Sequence, residues 1–248
     1  MDIPRIFTIR ESGHRIHNPF SDQKLAVLGQ ALGLAPGSQV LDLASGSGEM
    51  LCTWARDHGI TGTGVDLCVS FTQQARDRAV ELDVADRVTF VHADAAGWVN
   101  EHPVDVAACI GATWIGDGVA GTLELLRRSV RPGGLLLVGE PFWRLEPPDK
   151  ATVAGCGVRS RDECLLLPDL VEQFARWDYD VVEMVLADQD SWDRYQAAQW
   201  LTTRRWLDRH PDDELAAELR AELSEAPAQY VRYQREHLGW GVFALMAR

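Results

Sequence analysis

The residues most suited to chemistry begin with Val40-Leu41-Asp42-Leu43-Ala44-Ser45-Gly46-Ser47-Gly48-Glu49-Met50. Glycines at 46 and 48 allow a backbone to approach a ligand closely, and a helix that starts after them offers free amide groups. A strand, a glycine turn and a helix in that order form a ligand site at the carboxyl edge of a sheet. The dinucleotide pattern G-x-G-x-x-G needs a third small residue at position 51, where this chain has Leu51, so a pyrophosphate site is disfavoured. Two further acids, Asp66 and Asp94, each follow an apolar strand-like run; taken singly, either is an ordinary strand-end carboxylate. Groups able to move a proton are Glu140, which leaves an apolar run, and His14 and His17, which titrate near neutral pH. Cys52, Cys68, Cys109, Cys156 and Cys164 are odd in number and show no metal-type C-x-x-C pair, so reduced thiols and no metal are expected.

These side chains need a frame. Apolar runs at Ser38–Leu43, 62–66, 88–92, 104–110 and 134–139 alternate with helical patterns, which implies an α/β fold with a mostly parallel, doubly wound sheet. A sixth strand over 180–186 and a last strand over 241–246 complete a seven-stranded sheet. Residues 1–20 are expected to form an N-terminal helical cap, 21–140 the cofactor-binding core and 141–167 a proline- and glycine-rich loop or lid. Between strands six and seven, 190–238 reads as a helical insertion over the acceptor pocket. On its long helix Trp192, Tyr195, Gln199, Thr202 and Trp206 recur at three- and four-residue steps, hence on one face. That stripe is either core or the roof of a pocket with aromatic walls. Nine tryptophans are present, and Trp143, Trp177, Trp192, Trp200 and Trp206 crowd one stretch.

The ordered set from Asp42 through Gly46, Asp66, Asp94 and Cys109-Ile110-Gly111 to Arg131-Pro132-Gly133-Gly134 resembles the class I S-adenosylmethionine-dependent methyltransferases. The segments His14-Arg15-Ile16-His17-Asn18-Pro19-Phe20, Gly139-Glu140-Pro141-Phe142-Trp143 and Trp240-Gly241-Val242-Phe243-Ala244 are similar to the bacterial YjhP-type methyltransferases, a likeness extending over nearly the whole chain. The resemblance implies a Rossmann-like doubly wound sheet with an antiparallel last strand, with S-adenosyl-L-methionine as cofactor and S-adenosyl-L-homocysteine as product. It implies that Asp42, Ala44, Ser45, Gly46 and Gly48 border the methionine part, Asp66 meets the ribose hydroxyls, and Leu67 packs on the adenine. Asp94 and Ala95 would then address the adenine edge, and Cys109, Ile110 and Gly111 would line the side of the transferable methyl. Glu140 is the first choice for a base, followed by His17 and His14. Phe7, Thr113, Trp114, Phe142, Trp143, Trp192 and Tyr195 are the expected acceptor-side residues.

Acidic residues outnumber basic ones 37 to 24, for a net charge of -13, a balance unsuited to gripping phosphate backbones. Strand four ends in Gly111-Ala112-Thr113-Trp114 and lacks the Asn/Asp-Pro-Pro-aromatic motif of exocyclic-amine methylation. A small-molecule acceptor, methylated on nitrogen or oxygen and with a planar heteroaromatic among the candidates, is therefore expected, without nucleic-acid or membrane partners. No run approaches the length of a bilayer span and no secretory leader is apparent, so a cytoplasmic monomer or homodimer is anticipated. Three alternatives stay open: thiol or metalloid methylation through Cys156 and Cys164, a non-catalytic cofactor-binding protein, and a nicotinamide oxidoreductase.

Overall fold

The computed structural model describes residues 3–248; Met1 and Asp2, the start of the expected cap, lie outside the described residues. Its elements run α1 (Arg5–Glu11), α2 (Asp22–Ala31), β1 (Gln39–Leu43), α3 (Glu49–His58), β2 (Thr61–Asp66), α4 (Val69–Glu81), β3 (Val88–His92) and β4 (Val104–Ile110). They continue with α5 (Val119–Arg127), β5 (Val130–Trp143), α6 (Lys150–Gly155), α7 (Leu167–Arg176), β6 (Tyr179–Leu186), α8 (Gln189–Arg209), α9 (Ala216–Gln229), α10 (Arg235–His237) and β7 (Leu238–Ala247). Sheet order is β3-β2-β1-β4-β5-β7-β6, with β7 antiparallel to both neighbours, the arrangement that the family resemblance implies for the last strand. The order reverses between β1 and β4, which opens the crevice where α/β sheets bind ligands.

Burial on both faces explains why the strands read as continuous apolar runs. Val40, Ala108 and Leu137 face α2, α3 and α4 through Leu28, Leu51, Trp54 and Ala75. Leu41, Ala107 and Val138 face α5 and α7 through Leu126, Leu170 and Phe174. The local signals behave as elementary rules require: Ser21 accepts from the Lys24 amide as N-cap of α2, and Asp188 accepts from the Ser191 amide at the start of α8. A proline inside α9, Pro227, is followed by a π-turn at Tyr230–Gln234.

Two expectations need correction. Strand β5 does not stop at Gly139 but runs to Trp143, because β7 pairs with it from Leu136 to Trp143 after β4 has ended opposite Gly139. The segment 141–167 is not a loose lid either. Val153 of α6, Cys156 and Cys164 are buried in the core, and the Trp143 amide donates to the Leu165 carbonyl.

Helices α1, α8 and α9 share a third apolar cluster of their own, built on Ile9, Trp206, Leu207, Ala216 and Leu219. The N-terminal cap is thus packed onto the insertion, and the two form one helical layer beside the sheet.

Candidate cofactor cleft

After β1 the backbone turns sharply. Ala44 adopts φ 61, a left-handed conformation uncommon for a residue with a side chain, and Gly46 and Gly48 follow at φ 53 and 72. At Gly46 the close approach is to a ring: an added Cβ would lie 2.9 Å from His17 Nδ1. At Gly48 the reason is packing, since a Cβ would meet Phe90 and Ala75 at 2.6–2.7 Å. Gly48 caps α3 and its amide donates to Ser45, so its glycine serves the helix–sheet contact and not the ligand wall.

Around this turn lies an open cleft. Its floor is Asp42, Ala44, Ser45, Gly46 and Asp66; Ile110, Gly111, Ala112 and Trp114 line it beyond the end of β4; Ile3, Phe7, Ile16 and His17 close it from the cap. Asp66 is 6% exposed, and its two oxygens accept from the Gly46 and Cys68 amides, both at 2.8 Å. Those bonds hold the carboxylate at the turn and leave lone pairs for a diol. Asp42 is 4% exposed and its Oδ1 has no hydrogen-bond partner. Burial, with the Asp66 charge beside it, pushes the Asp42 carboxyl up to about 8. An unpaired buried carboxyl in the wall of a cleft fits a ligand that brings a cationic donor, and S-adenosylmethionine has one in its α-ammonium group.

His17 stands at the junction of cap and turn. Its ring lies 4.1 Å, centroid to centroid, from that of Phe71, and Nε2 is 3.0 Å from the Ser47 hydroxyl, which donates to Gln74 Oε1. With that hydroxyl committed as donor, Nε2 carries the proton and Nδ1 keeps a lone pair beside Gly46. Burial lowers the His17 pKa, the charges of Glu11 and Asp66 acting against it.

Other expected site residues lie elsewhere. His14 turns away from the cleft, its ring 5.0 Å from Tyr195 and its Nδ1 3.3 Å from Glu11 Oε2. Tyr195 donates to Glu11, and Trp192 and Trp206 are 8% exposed in two separate apolar clusters. The stripe on α8 is therefore packing, the alternative that its spacing also allowed. Phe142 and Trp143 are strand residues buried on opposite faces of the sheet; Trp143 is 0% exposed and its indole N–H donates to the Arg161 carbonyl. Cys109 is wholly buried under α5 and α7. Asp94 is exposed and caps the Ala96 amide, while Ala95 is buried; neither they nor Leu67 belong to the cleft wall.

Glu140 also stands off the wall. Alternation along β5 places it on the Val138 face, where the Thr113 hydroxyl donates to its Oε2 at 2.8 Å. Burial pushes this carboxyl up to about 7, with the Thr113 bond acting in the opposite sense. The Cys156 and Cys164 thiols are driven by burial to about 11 and about 12, which suppresses the thiolate needed for thiol or metalloid chemistry. Among the described residues, no group of three or more His, Cys, Asp or Glu is placed to hold a metal ion. Phe7 and His17 bring the cap to the site as expected, and both line the cleft; Ile3 and Ile16, which are not among the expected site residues, join them there.

A turn of this geometry at the switch point of a seven-stranded sheet with an antiparallel last strand is that of a Rossmann-like methyltransferase, and a family model described as a methyltransferase domain matches residues 40–134. Over all 248 residues the chain is 62% identical to the uncharacterized protein YjhP of Escherichia coli K12, with full coverage of both chains. A crystal structure of a SAM-dependent methyltransferase from Geobacter sulfurreducens in complex with S-adenosyl-L-homocysteine superposes with a TM-score of 0.98 at 65% identity, covering 100% of this chain and 99% of that one. A second such complex, from Thiobacillus denitrificans, gives 0.98 at 63% identity with full coverage of both. The chain belongs to this YjhP family of S-adenosylmethionine-dependent methyltransferases. Its cofactor is S-adenosyl-L-methionine, and the nicotinamide alternative falls with that finding.

Proposed function

We propose that this enzyme methylates nitrogen or oxygen of a small, flat, largely apolar acceptor in the cytoplasm, with His17 taking the acceptor's proton. The observation that carries this reading is the continuity of one cleft from the acidic pair Asp42 and Asp66 to a rim formed by Phe7, Ile110 and a Trp114 that is 53% exposed. An indole left in water beside a ligand site suits stacking on a planar ring. With a net charge of -13, a polyanionic acceptor is disfavoured.

When bound, S-adenosylmethionine supplies a methyl carried on a positive sulfur. Asp42 would receive the cofactor's ammonium, and Asp66 the ribose hydroxyls. The Gly46 turn would support the methionine part, and Trp114 and Phe7 would orient the acceptor for in-line attack. His17 Nδ1 would take the acceptor's proton as the acceptor nitrogen or oxygen receives the methyl group. Burial that keeps His17 neutral is what leaves this lone pair available near pH 7. Glu140, bonded to Thr113, holds the turn that presents Trp114.

The test is a panel of aromatic amines, phenols and N-heterocycles, scored for S-adenosylhomocysteine release and methylated product by mass spectrometry. With any acceptor found, His17→Gln is expected to lower turnover about 100-fold while S-adenosylhomocysteine affinity changes by less than about threefold. Full turnover in that variant would remove His17 from the chemistry.

A further inference from the structure

One buried charge remains unexplained by the cleft. Glu11, the last residue of α1, is 1% exposed. Its Oε1 accepts from the Tyr195 hydroxyl at 2.8 Å and from the Gln199 amide at 2.7 Å, both on α8. Its Oε2 has no hydrogen-bond partner and lies 3.3 Å from His14 Nδ1, itself unpaired. Burying a carboxylate with one oxygen open costs free energy that an apolar residue would not incur, so packing alone is a poor reason for a glutamate here. The carboxylate joins three things: the end of the cap helix, the long helix of the insertion, and the segment 14–17 that carries His17 to the Gly46 turn. Gly13 makes the approach possible, since an added Cβ there would lie 2.7 Å from Thr202 Oγ1 of α8.

We propose that Glu11 is a positioning residue for methyl transfer: anchored on α8 by Tyr195 and Gln199 and reaching His14, it fixes the His14–His17 segment over the Gly46 turn and keeps a carboxylate beside that segment. The proposal rests on the reading that His17 takes the acceptor's proton. The charged groups that reach His17 are Glu11 from α1, Asp66 from the end of β2 and His14 from its own segment. Arg15 is directed to Glu81 at 3.0 Å, and Arg10 pairs with Glu222, so neither cation neutralises Glu11. Among those groups Glu11 makes the largest contribution favouring a protonated His17, opposing burial.

The experiment uses Glu11→Gln in the full chain loaded with S-adenosylhomocysteine, following the His17 ring by NMR against pH. The substitution keeps size and shape and removes the charge. The expected result is a His17 midpoint lower by about half a pH unit or more, with the acid limb of the pH–turnover profile moving the same way. S-adenosylhomocysteine affinity should stay within about twofold of wild type. An unmoved midpoint overturns the proposal, and so does a normal midpoint with loss of cofactor affinity, which would mark Glu11 as a structural bond only. If Glu11→Gln does not fold, Glu11→Asp keeps the charge but draws it back from His14, and a smaller shift in the same direction is required. Full turnover of His17→Gln would sink the catalytic reading by a separate measurement, while the midpoint still decides whether Glu11 sets the state of that ring.

Discussion

Asp42 meets the cleft with one oxygen unpaired, and its pKa, pushed up to about 8, makes it a proton store in the cofactor-free enzyme. The sign follows from linkage. A carboxyl whose folded pKa lies above its ordinary value near 3.8 contributes stability that is complete below that value and lost as pH rises through about 8. A bound ammonium group reverses the preference, so S-adenosylhomocysteine is expected to bind with release of a proton and more tightly at pH 8.5 than at pH 6.5. Asp42→Asn should stabilise the cofactor-free protein at pH 8, weaken binding roughly ten- to a hundredfold and abolish that pH dependence. Calorimetry in buffers of different ionisation enthalpy measures both. Retained proton release in Asp42→Asn would show that another group titrates. Glu140 follows the same sign at about 7: Glu140→Gln keeps an acceptor for Thr113 and should flatten the decline of melting temperature between pH 5 and pH 8. At this scale Asp42, Gly46 and Asp66 were legible because a glycine turn after an apolar strand has few other uses. Glu140 was not, since strand-end position does not tell on which face a side chain emerges.

Elements misread from sequence share one cause, the length of β5. Glu140-Pro141 looks like a strand end because proline gives no amide to a ladder. Here it is tolerated because β4 has already ended opposite Gly139, so Pro141 has a strand on one side only, at Trp240. The longer strand carries Phe142 and Trp143 into the two cores, away from any acceptor. Trp143→Ala is therefore expected to cost about 3–5 kcal/mol of stability, and Trp143→Phe distinctly less, much of it the lost bond to the Arg161 carbonyl. Denaturant unfolding gives these values, and S-adenosylhomocysteine affinity should be unchanged in folded Trp143→Phe. A selective loss of binding there would return Trp143 to the site. The same logic explains the tryptophan cluster: helical spacing fixes that Trp192 and Trp206 share a face of α8, but not that this face meets α1, α9 and the sheet.

Across the whole molecule, the cleft is closed from two bodies with different amounts of core. The sheet faces are filled by two extensive clusters, one of which also takes in Phe20 of the cap and Trp192 and Tyr230 of the insertion, whereas α1, the end of α8 and α9 meet only in the small one around Trp206 and Leu219. Ion pairs reinforce it, Arg5 with Asp213 and Arg10 with Glu222, but Arg5 is half exposed and pairs open to solvent add little stability. The cap should thus open before the sheet does. Trp206→Ala removes a large side chain from the small cluster, at a cost of about 3 kcal/mol, without touching the cofactor turn. Hydrogen exchange followed by mass spectrometry should show α1, α8 and α9 exchanging roughly a hundredfold faster, with β1, β4 and β5 unchanged. Because Phe7 and His17 reach the cleft from that layer, S-adenosylhomocysteine affinity should fall while the sheet stays intact, and added ligand should restore part of the protection in α1. Equal acceleration in the sheet would mean that cap, insertion and core unfold as one cooperative unit. Unchanged affinity beside a faster α1 would mean that the cofactor is held by the turn after β1 alone.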